Sequence, residues 1–515
     1  MKQLKKLLFL IILLTASCSF PNGGMDTKSI ENGEERTVDI NHTEVERQSI
    51  GNCWLYAAAS WAESLNKTAT NTEFDSSQSY WTYMHWFDQI AGSRSISELT
   101  TGGYWSKATS IISRYGIIKE EDFIPEDGLN NTEISNRQSS ALSKLNRELK
   151  ENGRLSTYEA RTNSSLVREI MDEAWELDEE VINQLDRVFG EDMSKTFSSY
   201  NNQADSGNSS IINPDDFVVK YNNKRTTLAV AADEWQSVNY GYYYDKKETL
   251  KRVLTALNDG EPVVISWFVD FNALEDGSNY PELEGSFNMR TLEKLGQPGR
   301  QGGHMTILED YEAIVSMETS NGTEPQNVLK EGTLSAGEWT YFPVFNYTGR
   351  VDIKMTGTGD IDFYAKNGEQ PSEDVYDARP YKSSSFESAT INANGALYIA
   401  VNGYERGDYT LDITYYPEGS ESITERITLS AGVTLNPEIP GERAKLDAAL
   451  QDDTEIVFLR IKNSWGANRQ GLAFAPFSEK GYHDLYMDYL DGSVMLKDSQ
   501  GSRTPLNEFI LPPGY

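Results

Sequence analysis

The sequence predicts an α+β protein, on three observations. A run free of Gly and Pro opens at Cys53 with apolar residues at helical spacing, and segments between residues 126 and 240 repeat that spacing. The later chain changes to short alternating runs separated by turn residues, as strands do. A length of 515 residues is enough for two or three domains.

Residues 1–18, "MKQLKKLLFLIILLTASC", hold lysines, an apolar stretch from Leu7 to Leu14 and small residues before Cys18. That is the layout of an export signal, too short to span a bilayer. The ending "LTASC" resembles the bacterial lipobox, which implies lipid on Cys18, a tether over residues 19–38 and a place in the cell envelope. A plain cleaved signal, releasing a secreted protein, is the alternative. The balance of 46 Lys+Arg against 79 Asp+Glu, a formal charge of −33, keeps an exported protein soluble. It argues against a nucleic-acid partner, which needs a basic stripe.

Cys18 and Cys53 are the two cysteines, so a lipidated Cys18 leaves one free thiol. Gly51 and Asn52 break the chain before Cys53, and Trp54, Leu55, Ala58, Trp61, Ala62 and Leu65 form an apolar helical face. Cys53 therefore falls on a first helical turn, where unpaired amides and the helix dipole are expected to lower its pKa and make a nucleophile. A buried, inert cysteine is the alternative.

Such a thiolate needs a base, and the chain offers His42, His85, His304 and His483. His42 lies in a polar segment, and packing or surface roles suffice for His85 in "YWTYMHWF" and His483 in "GYHDLYMDY". His304, in "GRQGGHMTILEDYEAI", follows a Gly-rich turn at the expected mouth of a strand. In "EIVFLRIKNSWGANRQG", residues 455–462 read as a half-buried strand ending at Asn463. An Asn side chain can orient an imidazole without adding charge, and Trp465 is large enough to shield that hydrogen bond from water.

In the order Cys, His, Asn, the chain resembles the papain-like cysteine peptidases. The resemblance rests on "QSIGNCW", "GGYWSKATSIISRYGI", "GGHMTILEDYE" and "IKNSWG" followed by "GYHDLYM". It implies a two-lobed fold, a helical lobe with the nucleophile and an antiparallel sheet lobe with His and Asn. It also implies Cys53 as nucleophile, His304 as base and then acid, and Asn463 as its orienting residue. Gln48 would donate to the oxyanion, one position nearer the cysteine than is usual in the family. Gly102, Gly103 and Trp465 would contact substrate.

"TLKRVLTALNDGEPVVISWFVDF" reads as a helix, an Asp-Gly stop and a strand over residues 262–269. Residues 126–240 form a mostly helical insertion, read as scaffold rather than as a lid. Residues 327–416 show short strands and frequent turns, the pattern of an inserted all-β sandwich. Through "GDIDFYAKNG", "YDARPY" and "ALYIAVNGYERGDYTLDITY" they resemble the bacterial pre-peptidase C-terminal domain, which implies surface or polymer binding, a spacer being the alternative. The catalytic domain is thus expected in two parts, 39–326 and 417–515.

The expected function is an exported cysteine endopeptidase working through a Cys53 thioester on a peptide or protein substrate. A silent surface-binding protein and a thiol acyltransferase are the alternatives. No cofactor and no metal are expected, because the chain has no HExxH, no CxxC and few histidines.

Overall fold

The helix that the Gly51-Asn52 break announces spans Cys53–Thr70 and stops at Asn71, which takes the left-handed φ of 58°. The computed structural model describes residues 40–124, 131–197, 209–241, 245–320, 325–380, 384–416, 422–431, 435–437, 439–466, 481–499 and 501–515. Cys18, the export signal and the tether lie outside the described residues. No described helix is long and apolar enough to cross a membrane. The chain is α+β and divides into two units, residues 1–315 with 428–515, and residues 316–427.

In the first unit the Cys53–Thr70 helix buries nearly its whole circumference. Helices Gln78–Ile90 and Trp105–Tyr115 pack against it, and Asn131–Glu148, Ser164–Trp175 and Glu179–Phe189 extend the same core. Trp61 meets Trp105 edge-on at 5.0 Å and Trp235 at 5.4 Å between centroids. Each such pair adds about 0.5–1.5 kcal/mol beyond the area it buries. Leu145, Val167, Trp175 and Leu185 belong to the same core cluster as Trp54, so the helices between residues 126 and 240 complete this core.

The other half of this unit is an antiparallel sheet. Its strands run in the order Tyr482–Tyr486, Glu455–Lys462, Gln301–Ser320, Val264–Asp270, Leu506–Leu511, Gln236–Asn239. The strand read at residues 262–269 is Val264–Asp270, preceded by helix Lys246–Asn258. The strand expected at residues 455–462 has those bounds. One expectation fails locally: Gly302 and Gly303 form no turn. They lie within the strand Gln301–Ser320 opposite Val269 and Phe268, so His304 is paired inside the sheet, opposite Trp267.

The described residues of the second unit contain strands and no helix. The long strand Glu387–Gly403 pairs with Phe345–Gly357 through its first part, then with Ile361–Asn367 and Trp339–Tyr341 through its last. Gly395, at φ +125°, sits where these partners change. Period-two burial along Gly407–Tyr415 points Leu411 and Ile413 into a core with Ile353, Phe363 and Val401.

Candidate active site

Elements from both halves of the first unit bring the site together. Strand Gln301–Ser320 carries His304, and Asn463 follows the last residue of its neighbour, Glu455–Lys462. A register shift between Arg460 and Ile461 marks a bulge just before Asn463. Bulges of this kind re-aim the residues beyond them. His304 Nε2 lies 2.9 Å from Asn463 Oδ1, and the two side chains are 2% and 1% exposed.

The neighbours fix the tautomer. The Ser464 backbone N–H donates to the same Asn463 oxygen at 2.8 Å, and a backbone amide can only donate. That atom is therefore the amide oxygen, and the proton of His304 must be on Nε2. Nδ1 is then the basic nitrogen, buried and with no hydrogen-bond partner among the described residues. Burial lowers the His304 pKa to about 4, against a smaller upward effect from Asn463, so the ring is neutral at pH 7. Trp465 lies flat on it, 5.0 Å between centroids and 16° between planes, as expected of a residue that shields the pair.

Cys53 opens its helix as the sequence suggests, and the amide of Met305, next to His304, faces its thiol. The expected low pKa is overturned. The amides of Met305, Trp54 and Cys53 do lower it, but desolvation is larger and pushes the thiol up to about 11. A helix dipole acts over one turn, whereas burial removes water from the whole sulfur.

Gln48 is buried beside the pair. Its Nε2 donates to the Ile50 carbonyl at 2.8 Å, its Oε1 accepts from Ser464 Oγ, and its backbone N–H donates to the Ser464 carbonyl. Gly102 and Gly103 precede helix Trp105–Tyr115. A Cβ on Gly103 would lie 2.3 Å from the Trp54 indole, whereas Gly102 faces open space. Trp54 is held there by its Nε1 donating to Thr101 O at 2.9 Å.

The other histidines make contacts of their own, His483 meeting Trp465 edge-on at 5.2 Å between centroids. His85 stands edge-on to Trp54, His483 Nδ1 donates to Gly285 O, and His42 Nε2 donates to Leu308 O beside Glu309. His42 is thus buried, against its reading as part of a polar segment. The sequence reading missed Ser464, which sets the tautomer, and Trp267, opposite His304. For Ser464 the signal was its place between Asn463 and Trp465.

No family model matches the chain. It is 36% identical over 103 residues to a virulence metalloprotease of Vibrio anguillarum, covering 18% of this chain and 17% of that protein. It is 41% identical over 116 residues to a neutral protease of Vibrio proteolyticus, covering 20% and 19%. An alkaline serine exoprotease A of Vibrio alginolyticus is 32% identical over 74 residues, 14% of each chain. The chain spans less than a fifth of the length of these curated relatives. Among solved structures, a crystal structure of pepw from a lactobacillus aligns over 93% of this chain and 82% of its own, at 10% identity and a TM-score of 0.35.

These relatives correct the expected class. They are peptidases by name, of metallo and serine type, so the papain-like, cysteine-type assignment and its Cys53 thioester are withdrawn.

The metallo names call for a metal centre, and the donor set can be tested against one. Among the described residues the group able to converge on an ion is Glu46, Glu63 and Asp75, with oxygens within 4.8 Å of one another. Catalytic zinc sites draw on imidazole nitrogen or thiolate sulfur. This set has neither, His304 is paired to Asn463, and the Lys462 ammonium carries charge interactions with all three carboxylates. The residues do not fit a zinc centre.

Proposed function

We propose that the chain is an exported peptidase acting on peptide or protein substrates, with His304 as the proton-transfer group of its site and Asn463 as the residue that orients it. The observation that carries this is the buried 2.9 Å pair whose tautomer leaves Nδ1 as a base without a partner. A neutral imidazole can take a proton from an attacking nucleophile and return it to the leaving amine. The names of the relatives support peptide-bond hydrolysis as the reaction class. Export is supported by the N-terminal signal layout, and a lipid on Cys18 would add a membrane tether. The open space over Gly102 suits a substrate backbone lying beside Trp54, and Gln48 is held by Ser464 next to Asn463.

The test is hydrolysis of a mixed peptide library by the intact chain and by His304→Ala and Asn463→Ala. Losing a general acid–base group costs about 10²–10⁴ in rate, so the His304 variant should lose at least about a hundredfold and the Asn463 variant less. Full activity of His304→Ala overturns the reading, as does an inert wild type. Dialysis against a chelator, with zinc added back, decides whether the catalytic class is that of the metallo relatives.

A further inference from the structure

A small pocket beside Asn463 is lined among others by Glu46, Tyr56, Ser60, Met305 and Lys462. Lys462, 4% exposed, is the last residue of the strand that delivers Asn463. Its Nζ donates to Thr43 Oγ1 at 3.0 Å and to Ser60 Oγ, on the Cys53–Thr70 helix, at 3.2 Å. The Thr43 hydroxyl donates in turn to Glu63 Oε2, and the other Glu63 oxygen accepts from the Ser76 amide and hydroxyl. The ammonium thus reaches the Glu46, Glu63 and Asp75 cluster through one hydroxyl, with Glu309 also acting on it. Burial lowers the pKa of Lys462, and these four carboxylates hold it up.

We propose that Lys462 is a positioning residue: its ammonium serves the acidic cluster as a built-in cation in place of a metal ion, and by tying the strand end to Thr43 and Ser60 it fixes Asn463, and so His304, against the helical half. This rests on the His304–Asn463 reading above. The chemistry favours an ammonium, because Glu63 is buried beside Glu46 and the exposed Asp75, its charge there needs a compensating partner, and Lys462 is already hydrogen-bonded at the edge of the cluster. It also explains why the tie ends on Asn463, one peptide bond beyond Lys462, in place of some remote part of the sheet.

The experiment follows the His304 ring proton on Nε2 by NMR in the intact chain, where four histidines make the spectrum tractable. His304→Gln assigns the signal. Lys462→Met and Thr43→Val should make its solvent exchange at least about tenfold faster, the scale of one lost hydrogen bond. Thr43→Ser, which keeps the hydroxyl, should restore the wild-type rate. A general loss of packing would not discriminate between the two Thr43 variants. Dialysed wild type should bind neither Zn²⁺ nor Ca²⁺ in a way that Glu63→Gln removes.

A wild-type signal unchanged in both Lys462→Met and Thr43→Val, each folded by circular dichroism, overturns the positioning role alone. If Lys462→Met does not fold, Thr43→Val decides. Stoichiometric metal binding that needs Glu63 overturns the built-in cation. Absence of the ring-proton signal from wild type overturns the His304–Asn463 pair and the proposal with it.

Discussion

Cys53 and His304 each carry a pKa moved by burial, and both shifts can be read as changes with pH. The thiol, pushed from about 9 to about 11, stays protonated across the neutral range. Alkylation of Cys53 should therefore be slower than that of glutathione at pH 7 and keep rising up to about pH 11, a rate that iodoacetamide with mass spectrometry will give. Its folded-state pKa is raised, so its contribution to stability is complete below pH 9 and is lost as pH climbs towards 11. His304 moves the other way. With a folded-state pKa of about 4, its contribution is present above 6.5 and is lost as pH falls from 6.5 to 4. At about 1.4 kcal/mol per pKa unit, that is a few kcal/mol. Urea midpoints between those pH values should fall more steeply for wild type than for His304→Gln, with His85, lowered to about 3, supplying much of the remaining slope.

At the scale of elements, two neighbouring glycines differ in their surroundings. Gly103 supports the Trp54 indole directly, and an added Cβ would have to move a ring that is itself anchored to Thr101. Gly103→Ala should cost about 1–3 kcal/mol through overpacking, measured by thermal or urea unfolding. Gly102→Ala meets no atom within 4 Å, so stability should change by less than about 0.5 kcal/mol. If substrate lies over Gly102, that second variant should raise KM with little change in kcat. The start of the helix at Cys53 and the bounds of the strand ending before Asn463 were legible in the sequence, because a Gly-Asn break and a short apolar run are local signals, but the strand was read as half-buried and its last five residues are buried throughout. The pairing of Gly302 and Gly303 was not. A glycine pair suggests a turn by its composition, and only the partner strand Val264–Asp270 makes it a sheet segment.

At the scale of the whole molecule, the second unit has its own core, including Val351, Phe363, Leu397 and Leu411, and His304 and Asn463 both belong to the first. Residues 316–427 expressed alone should therefore melt in one cooperative transition, by calorimetry or circular dichroism, since a unit with its own core can fold alone. Replacing residues 327–416 by a Gly/Ser linker should leave the His304 ring-proton signal in place. A fragment without a transition would show that the unit needs the rest of the chain.

The sequence by itself determined where the helix that carries Cys53 begins and where the strand that delivers Asn463 runs, because caps, breakers and periodicity act over a few residues, but not where the His304 strand begins, since Gln301, Gly302 and Gly303 pair inside the sheet. It also determined the order in which those residues occur and the acidic, thiol-poor character of the chain. Tertiary structure decided their chemistry. Whether Cys53 ionises depended on how much water its neighbours exclude, and the outcome reversed the effect expected from its helix. Which His304 nitrogen is basic depended on an oxygen and an amide from a strand more than a hundred residues away in the chain. What balances Glu46, Glu63 and Asp75 likewise depended on Lys462, brought in from that same strand. Desolvation and long-range pairing are properties of neighbours in space, and a linear pattern carries no term for them.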